Sequence, residues 1–155
     1  MTDTPPAARD TRRDHSFNTQ VERARSVLRV ALALFYFVAG GFHLYATAGF
    51  VSIVPDWVPY PHAVVIVTGI CELLGAVALL TPRLRRLAGI LLALYAVCVF
   101  PANIKHALEN LPVGGVLLGW GYHGPRLALQ PVLVWAALFA GDLITWPFNT
   151  PKPSM

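Results

Sequence analysis

The sequence predicts an all-α protein: a four-helix transmembrane bundle with an interfacial outer loop between helices 1 and 2. Three observations carry this. First, 55% of the 155 residues are hydrophobic and 13% are charged, whereas soluble domains carry about a quarter charged residues; mean hydropathy is +0.56. Second, four apolar runs are spaced along the chain. Third, lysine and arginine are confined almost entirely to alternate connections between those runs.

The first run extends from Val27 to about Tyr45, the second from Ala63 to Leu80, the third from Leu87 to Phe100 and the fourth from Leu127 to Trp146. Crossing a bilayer takes ~20 mostly apolar residues at about 1.5 Å of helix rise each. Runs one, two and four meet this. The third reaches span length when Pro101 to Ile104 continue it. Residues 1–24, polar and containing Pro5-Pro6, read as a disordered cytoplasmic tail. Residues 25–147 form the membrane domain, and 148–155, rich in proline, a second cytoplasmic tail.

Orientation follows from the basic residues. Arg9, Arg12, Arg13, Arg23, Arg25 and Arg29 precede span one, Arg83, Arg85 and Arg86 lie between spans two and three, and Lys152 follows span four. Only Lys105 and Arg126 lie on the opposite side. Both termini and the loop from Thr81 to Arg86 are therefore expected in the cytoplasm, and segments 45–62 and 105–125 outside. The arginine-rich start, apolar core and Ala46-Thr47-Ala48 imitate a secretory signal with its small-residue cleavage site. The long basic region and the three spans that follow favour an uncleaved anchor. Phe50, Trp57 and Tyr60 suit the headgroup level, while Pro55, Pro59 and Pro61 stiffen the connection in which they stand.

Several classes are excluded. Net charge is +4, but the basic residues flank apolar runs and form no separate basic domain, so nucleic acid is not an expected partner. Cys71 and Cys98 each sit inside an apolar run, outside any Cys-x-x-Cys pair, and read as small buried hydrophobes. No dinucleotide, P-loop, zinc-protease or nucleophile-elbow motif is present. No spacing signature supports a metal site from His43, Glu72 and His106, or haem held by two histidines.

The chemistry lies in the polar residues inside the spans. A charge at mid-membrane costs ~2.5–3.5 kcal/mol on insertion scales, so Glu72, about ten residues into span two, calls for compensation by neighbouring helices or a polar cavity. His43 closes span one, Asn103 and His106 lie at the outer end of span three, and Arg126 and Gln130 lie four residues apart on one face of span four. A chain from Glu72 through Gln130 to Arg126, with His43 and Asn103 facing it, is expected in the outer half of the bundle. Against this stand structural readings: interhelical hydrogen bonding for Asn103 and Gln130, a helix-end anchor for Arg126, and interfacial or loop placement for His43, His106 and His123. Gly40-Gly41, Gly69, Gly75 and Gly89 permit close helix approach, and Gly114-Gly115 after Pro112 reads as a loop or hinge. Gly119-Trp120-Gly121-Tyr122 reads as a second interfacial loop.

Taken together, Gly41-Phe42-His43, Ile53-Val54-Pro55 with Pro59, Thr68-Gly69-Ile70-Cys71-Glu72-Leu73-Leu74-Gly75, Val99-Phe100-Pro101-Ala102-Asn103-Ile104 and Arg126-Leu127-Ala128-Leu129-Gln130-Pro131 resemble the DoxX family of small four-span membrane proteins. The likeness covers roughly residues 25–147. Ala128 departs from a family pattern nearer Arg-Leu-Pro-Leu-Gln. The resemblance implies a bacterial cytoplasmic (inner) membrane protein and a quinone-linked redox or oxidative-stress component. The polar pocket expected from the residues themselves comprises His43, Glu72, Asn103, His106, Arg126 and Gln130, and the motifs that carry the resemblance contain all of these but His106. No cofactor motif is evident; a quinone is the candidate ligand, and the lipid bilayer, a membrane redox protein or a second copy of the chain are candidate partners. The rival readings are a non-enzymatic membrane assembly, chaperone or interaction protein, and a small transporter.

Overall fold

The computed structural model describes residues 6–112 and 116–148, with side chains from residue 17 onward. These residues form α1 (Pro6–Tyr45), α2 (Thr47–Val51), α3 (Pro61–Leu80), α4 (Arg85–Glu109) and α5 (Trp120–Ala140). The expected hinge at Gly114-Gly115 and the tail from residue 149 lie outside the described residues. The four long helices pack in a ring: α1 on α3, α3 on α4, α4 on α5, and α5 back on α1. Short connections make sequence neighbours antiparallel, so the bundle has two ends. A histidine end gathers His43, His62, His106 and His123, and an arginine end gathers Arg25, Arg29 and Arg85.

Three segments are long and apolar enough to cross a membrane: Phe17–Tyr45, Pro61–Leu80 and Arg85–Glu109. The exposed surface agrees with that reading. Val30, Leu34, Phe35, Phe37 and Val38 on α1, Val67 and Leu74 on α3, and Leu87, Leu91 and Leu94 on α4 all point outward. A continuous apolar belt of this kind is rare on soluble monomers. The interior is built from small residues, with Ala76, Ala88, Ala93, Ala136, Ala137 and Ala140 packed around Leu32, Tyr36, Leu79 and Leu92. Membrane helices associate through such surfaces because lipid removes the hydrophobic drive between them and leaves close van der Waals contact.

Glycine sets the closest approach at two places. A Cβ on Gly40 would stand 2.7 Å from the carbonyl oxygen of Gly69, and one on Gly69 would stand 2.9 Å from the Cβ of His43. The α1–α3 seam that carries His43 and Glu72 depends on this contact. A Cβ on Gly89 would meet the Ala137 carbonyl at 2.7 Å and the Gly141 Cα at 2.9 Å, so α4 and α5 touch backbone to backbone.

The element boundaries differ from the sequence-based expectation at the start of α1 and at both ends of α5, while α4 takes the longer extent that spanning needs. α1 continues back to Pro6, through most of the stretch expected to be a disordered tail. Nucleation is the costly step in helix formation; the membrane-length part supplies it, and burial of Val21 with the Arg25–Glu22 ion pair at 3.0 Å holds the extension. α4 runs through Pro101 to Glu109, as its span-length reading requires. α5 opens at Trp120, turning the expected second aromatic loop into a first helical turn. It also stops at Ala140, six residues before the apolar run ends. Its end is a Schellman cap: Leu143 N–H bonds the Leu138 carbonyl at 3.0 Å and Asp142 N–H the Phe139 carbonyl at 3.2 Å. Asp142 adopts φ 61°, the left-handed position usually filled by glycine.

Cys71 and Cys98 are free and exposed on the outer surface of the helices, not buried as their apolar surroundings suggested. A lipid-soluble maleimide should label both in the folded, detergent-solubilised protein without denaturant. Labelling that appears only after unfolding would contradict the outward orientation.

Candidate functional site

The six polar residues singled out in the sequence all lie toward the histidine end, but in two groups. The expected chain from Glu72 through Gln130 to Arg126 does not form. α1 and α3 pair His43 with Glu72, while α4 and α5 pair Asn103 with Gln130 and His106 with Arg126.

In the first group, Glu72 is 4% exposed. Its Oε2 lies 2.9 Å from His43 Nδ1. That approach is an ion-pair contact without hydrogen-bond alignment, since Nδ1 directs its proton to the Ala39 carbonyl at 3.0 Å. Glu72 Oε2 is therefore sealed inside the protein with no hydrogen-bond partner. The imidazole is clamped from its other side by Phe50, stacked at 4.0 Å between ring centroids. This explains why the chain after α1 stays aromatic: α2 folds its ring over the histidine. Two tyrosines complete the group. Tyr36 and Tyr95 meet edge-on at 6.3 Å, and both lie within electrostatic reach of the Glu72 carboxyl. The Tyr36 hydroxyl is buried without a partner.

The second group is more fully paired. Asn103 Nδ2 donates to Gln130 Oε1 at 3.0 Å, and Gln130 Nε2 donates to the Ala96 carbonyl. Pro101 has no N–H to offer the carbonyl of Val97, and the adjoining Ala96 carbonyl takes the glutamine. His106, 1% exposed, donates from Nε2 to the Leu111 carbonyl at 3.0 Å. Its Nδ1 then accepts from Arg126 Nη1 at 2.6 Å. A guanidinium has only donors, so these partners fix the neutral Nε2–H tautomer. His123 is equally buried, its ring 4.6 Å from that of His106. Arg126 lies over the Tyr122 ring at 5.8 Å. Lys105 ties the 52–60 connection across this end, bonding Asp56 Oδ1 at 2.6 Å and the Val54 carbonyl at 3.0 Å.

Sequence reasoning missed Tyr36, Tyr95 and the buried position of His123. Helical spacing held a signal for two of them. Tyr36 stands four residues before Gly40 and seven before His43, on one face, and Tyr95 stands three turns before His106. It also treated Arg25 and Arg29 only as topology signals. The structure buries Arg29 and bonds its Nε to the Ala140 carbonyl at 2.8 Å and its Nη2 to Asp142 Oδ1 at 2.5 Å. Among the described residues, no three His, Cys, Asp or Glu side chains stand together as a metal-holding set.

The fold and its buried polar groups define an all-helical protein with the features of a multi-pass membrane protein. The chain belongs to the family described as a domain of unknown function (DUF8561), which matches residues 32–140 and so takes in both polar groups. No curated protein and no solved structure matches it.

Proposed function

We propose that the chain is a four-span integral membrane protein of DoxX type that takes a quinone headgroup at its His43–Glu72 group, as part of a quinone-linked redox or oxidative-stress complex. α5 serves as the fourth span. Its hydropathy is lowered by His123, Arg126 and Gln130, of which His123 and Gln130 are buried and Arg126 is half-buried, so their cost falls on the interior and not on lipid. The arginine-rich end belongs in the cytoplasm by the distribution of positive charge, which puts both termini inside and the site in the outer half of a bacterial cytoplasmic membrane.

One observation carries the reading: Glu72 Oε2 and the Tyr36 hydroxyl are both buried without a hydrogen-bond partner, within electrostatic reach of one another. Buried polar groups are rarely left so, and each costs about 1–3 kcal/mol unsatisfied. A quinone or quinol headgroup offers the complement. Its carbonyl oxygen accepts from a phenol, and a quinol hydroxyl donates to a carboxylate. Glu72 and His43, in contact and differing in exposure, form a short route for a proton between headgroup and surface. Electrons would come from a membrane redox partner.

Native mass spectrometry of gently solubilised protein tests this. One isoprenoid quinone per chain is expected, with retention falling roughly tenfold or more in Glu72→Gln and in His43→Ala. Protein without quinone, together with unchanged membrane redox activity in both variants, would sink the reading. A second reading is favoured by the closed α4–α5 network, in which Asn103, Gln130 and His106 find their partners inside the protein. Such cross-links suit a non-enzymatic assembly or interaction protein, and a stoichiometric protein partner without bound isoprenoid would select it.

A further inference from the structure

We propose that Arg126 holds a phosphate-type oxyanion, the phosphodiester of a hydroxyl-bearing lipid headgroup, at the histidine end of the bundle. The inference rests on α5 lying in the membrane, not on the quinone reading.

The first support is charge accounting. Among the described residues, every other buried or half-buried arginine or lysine has a carboxylate within ion-pair distance. Arg25, Arg29 and Arg85 have Asp142, at 3.3, 2.5 and 3.6 Å, and Lys105 has Asp56 at 2.6 Å. Arg126 has none. A cation among membrane helices is stable there only with compensation. Its two protein contacts, a neutral imidazole and the face of a tyrosine, carry no formal negative charge.

The second support is geometry. One guanidinium nitrogen is used by His106 Nδ1, and the other N–H groups of the fork meet no acceptor among the described residues. A planar fork with free donors matches phosphate oxygens. Beside it, His123 is buried with Nδ1 unpartnered. Its Nε2 faces Asn110 Oδ1 at 3.3 Å, an acceptor, so Nε2 carries the proton and Nδ1 is left with a lone pair. The site thus offers donors for an anion and one acceptor for a neighbouring hydroxyl. That pairing fits a phosphodiester bearing a hydroxylated headgroup.

Depth identifies the source. Arg126 lies six residues inside Trp120, about 9 Å along the helix. Trp120 and Tyr122 are exposed aromatics of the kind found at headgroup level. An arginine one to two turns below that level reaches it by snorkelling.

The test uses the full chain in nanodiscs containing equal phosphatidylglycerol and phosphatidylcholine. Lipid carried through gentle release is counted by native mass spectrometry, and inorganic phosphate is titrated into phosphatidylcholine-only discs. The native protein should retain phosphatidylglycerol over phosphatidylcholine roughly tenfold, and Arg126→Gln should abolish the preference. Arg126-dependent binding of inorganic phosphate without lipid preference would keep the oxyanion site but replace its source with the free anion. Equal retention of both lipids by the native protein, with no phosphate binding, overturns the proposal, and that result is readable even if Arg126→Gln does not fold.

Discussion

Asp142→Asn should lower the temperature at which the solubilised protein loses its monodisperse form by roughly 5 °C or more. Asp142 closes the C-terminal cap of α5, and three arginines converge on its carboxylate: Arg29 at 2.5 Å, Arg25 at 3.3 Å and Arg85 at 3.6 Å. They come from α1 and α4, so one charge ties three helices. Removing one partner of a buried pair costs about 3–5 kcal/mol. Asp142 keeps 26% of its side chain exposed, and screening reduces the expected loss to about 2 kcal/mol. Asparagine retains the side-chain shape and tolerates the left-handed backbone, so it removes the charge alone. Asp142→Gly relaxes the backbone at φ 61° but should still be less stable than the native protein, because the stranded guanidinium of Arg29 outweighs the conformational relief. A glycine variant as stable as the native protein would show that Asp142 is a cap residue and not an electrostatic hub.

Gly89→Val should be at least as damaging and should separate α4 from α5. Its Cβ would meet the Ala137 carbonyl at 2.7 Å, the Gly141 Cα at 2.9 Å and Leu143 Cδ1 at 3.3 Å. The two nearest are backbone atoms, so no rotamer change relieves the clash. Overpacking a tight contact costs about 1–3 kcal/mol. Here the displaced turn is also the Asp142 cap, so the arginine contacts loosen with it. The double variant Gly89→Val with Asp142→Asn should then lose less than the sum of the single losses, as coupled neighbours do. Thermal stability of the four proteins measures this cycle, and strict additivity would mean that the glycine seam and the charge hub act independently.

How far the site was legible depended on what each residue needed. Glu72 stood out because a carboxyl at its depth is costly wherever it points, and the structure buries it. Gly69 was readable as inward-facing because it shares a helix face with Glu72, three residues on. The partner assignments were not. Glu72 meets His43 and not Gln130 because glycines at 40 and 69 bring α1 onto α3, while the backbone contact at Gly89 brings α5 onto α4. Helix register at this precision depends on atoms being absent, which composition does not register. The exposure of Cys71 and Cys98 was equally hidden, because a span that faces lipid on one side and protein on the other is apolar all round.

The sequence by itself determined the helical class, the apolar lengths that can cross a membrane and the identity of the polar residues worth examining, because these follow from summed hydropathy and from the cost of charge in hydrocarbon. Only the tertiary structure decided that α5 ends at Ala140, that Arg29 is a buried tie as well as a topology signal, and that Arg126 faces a histidine without a carboxylate. Those outcomes depend on which helix faces meet, and the meeting is fixed by close contacts between residues distant in the chain.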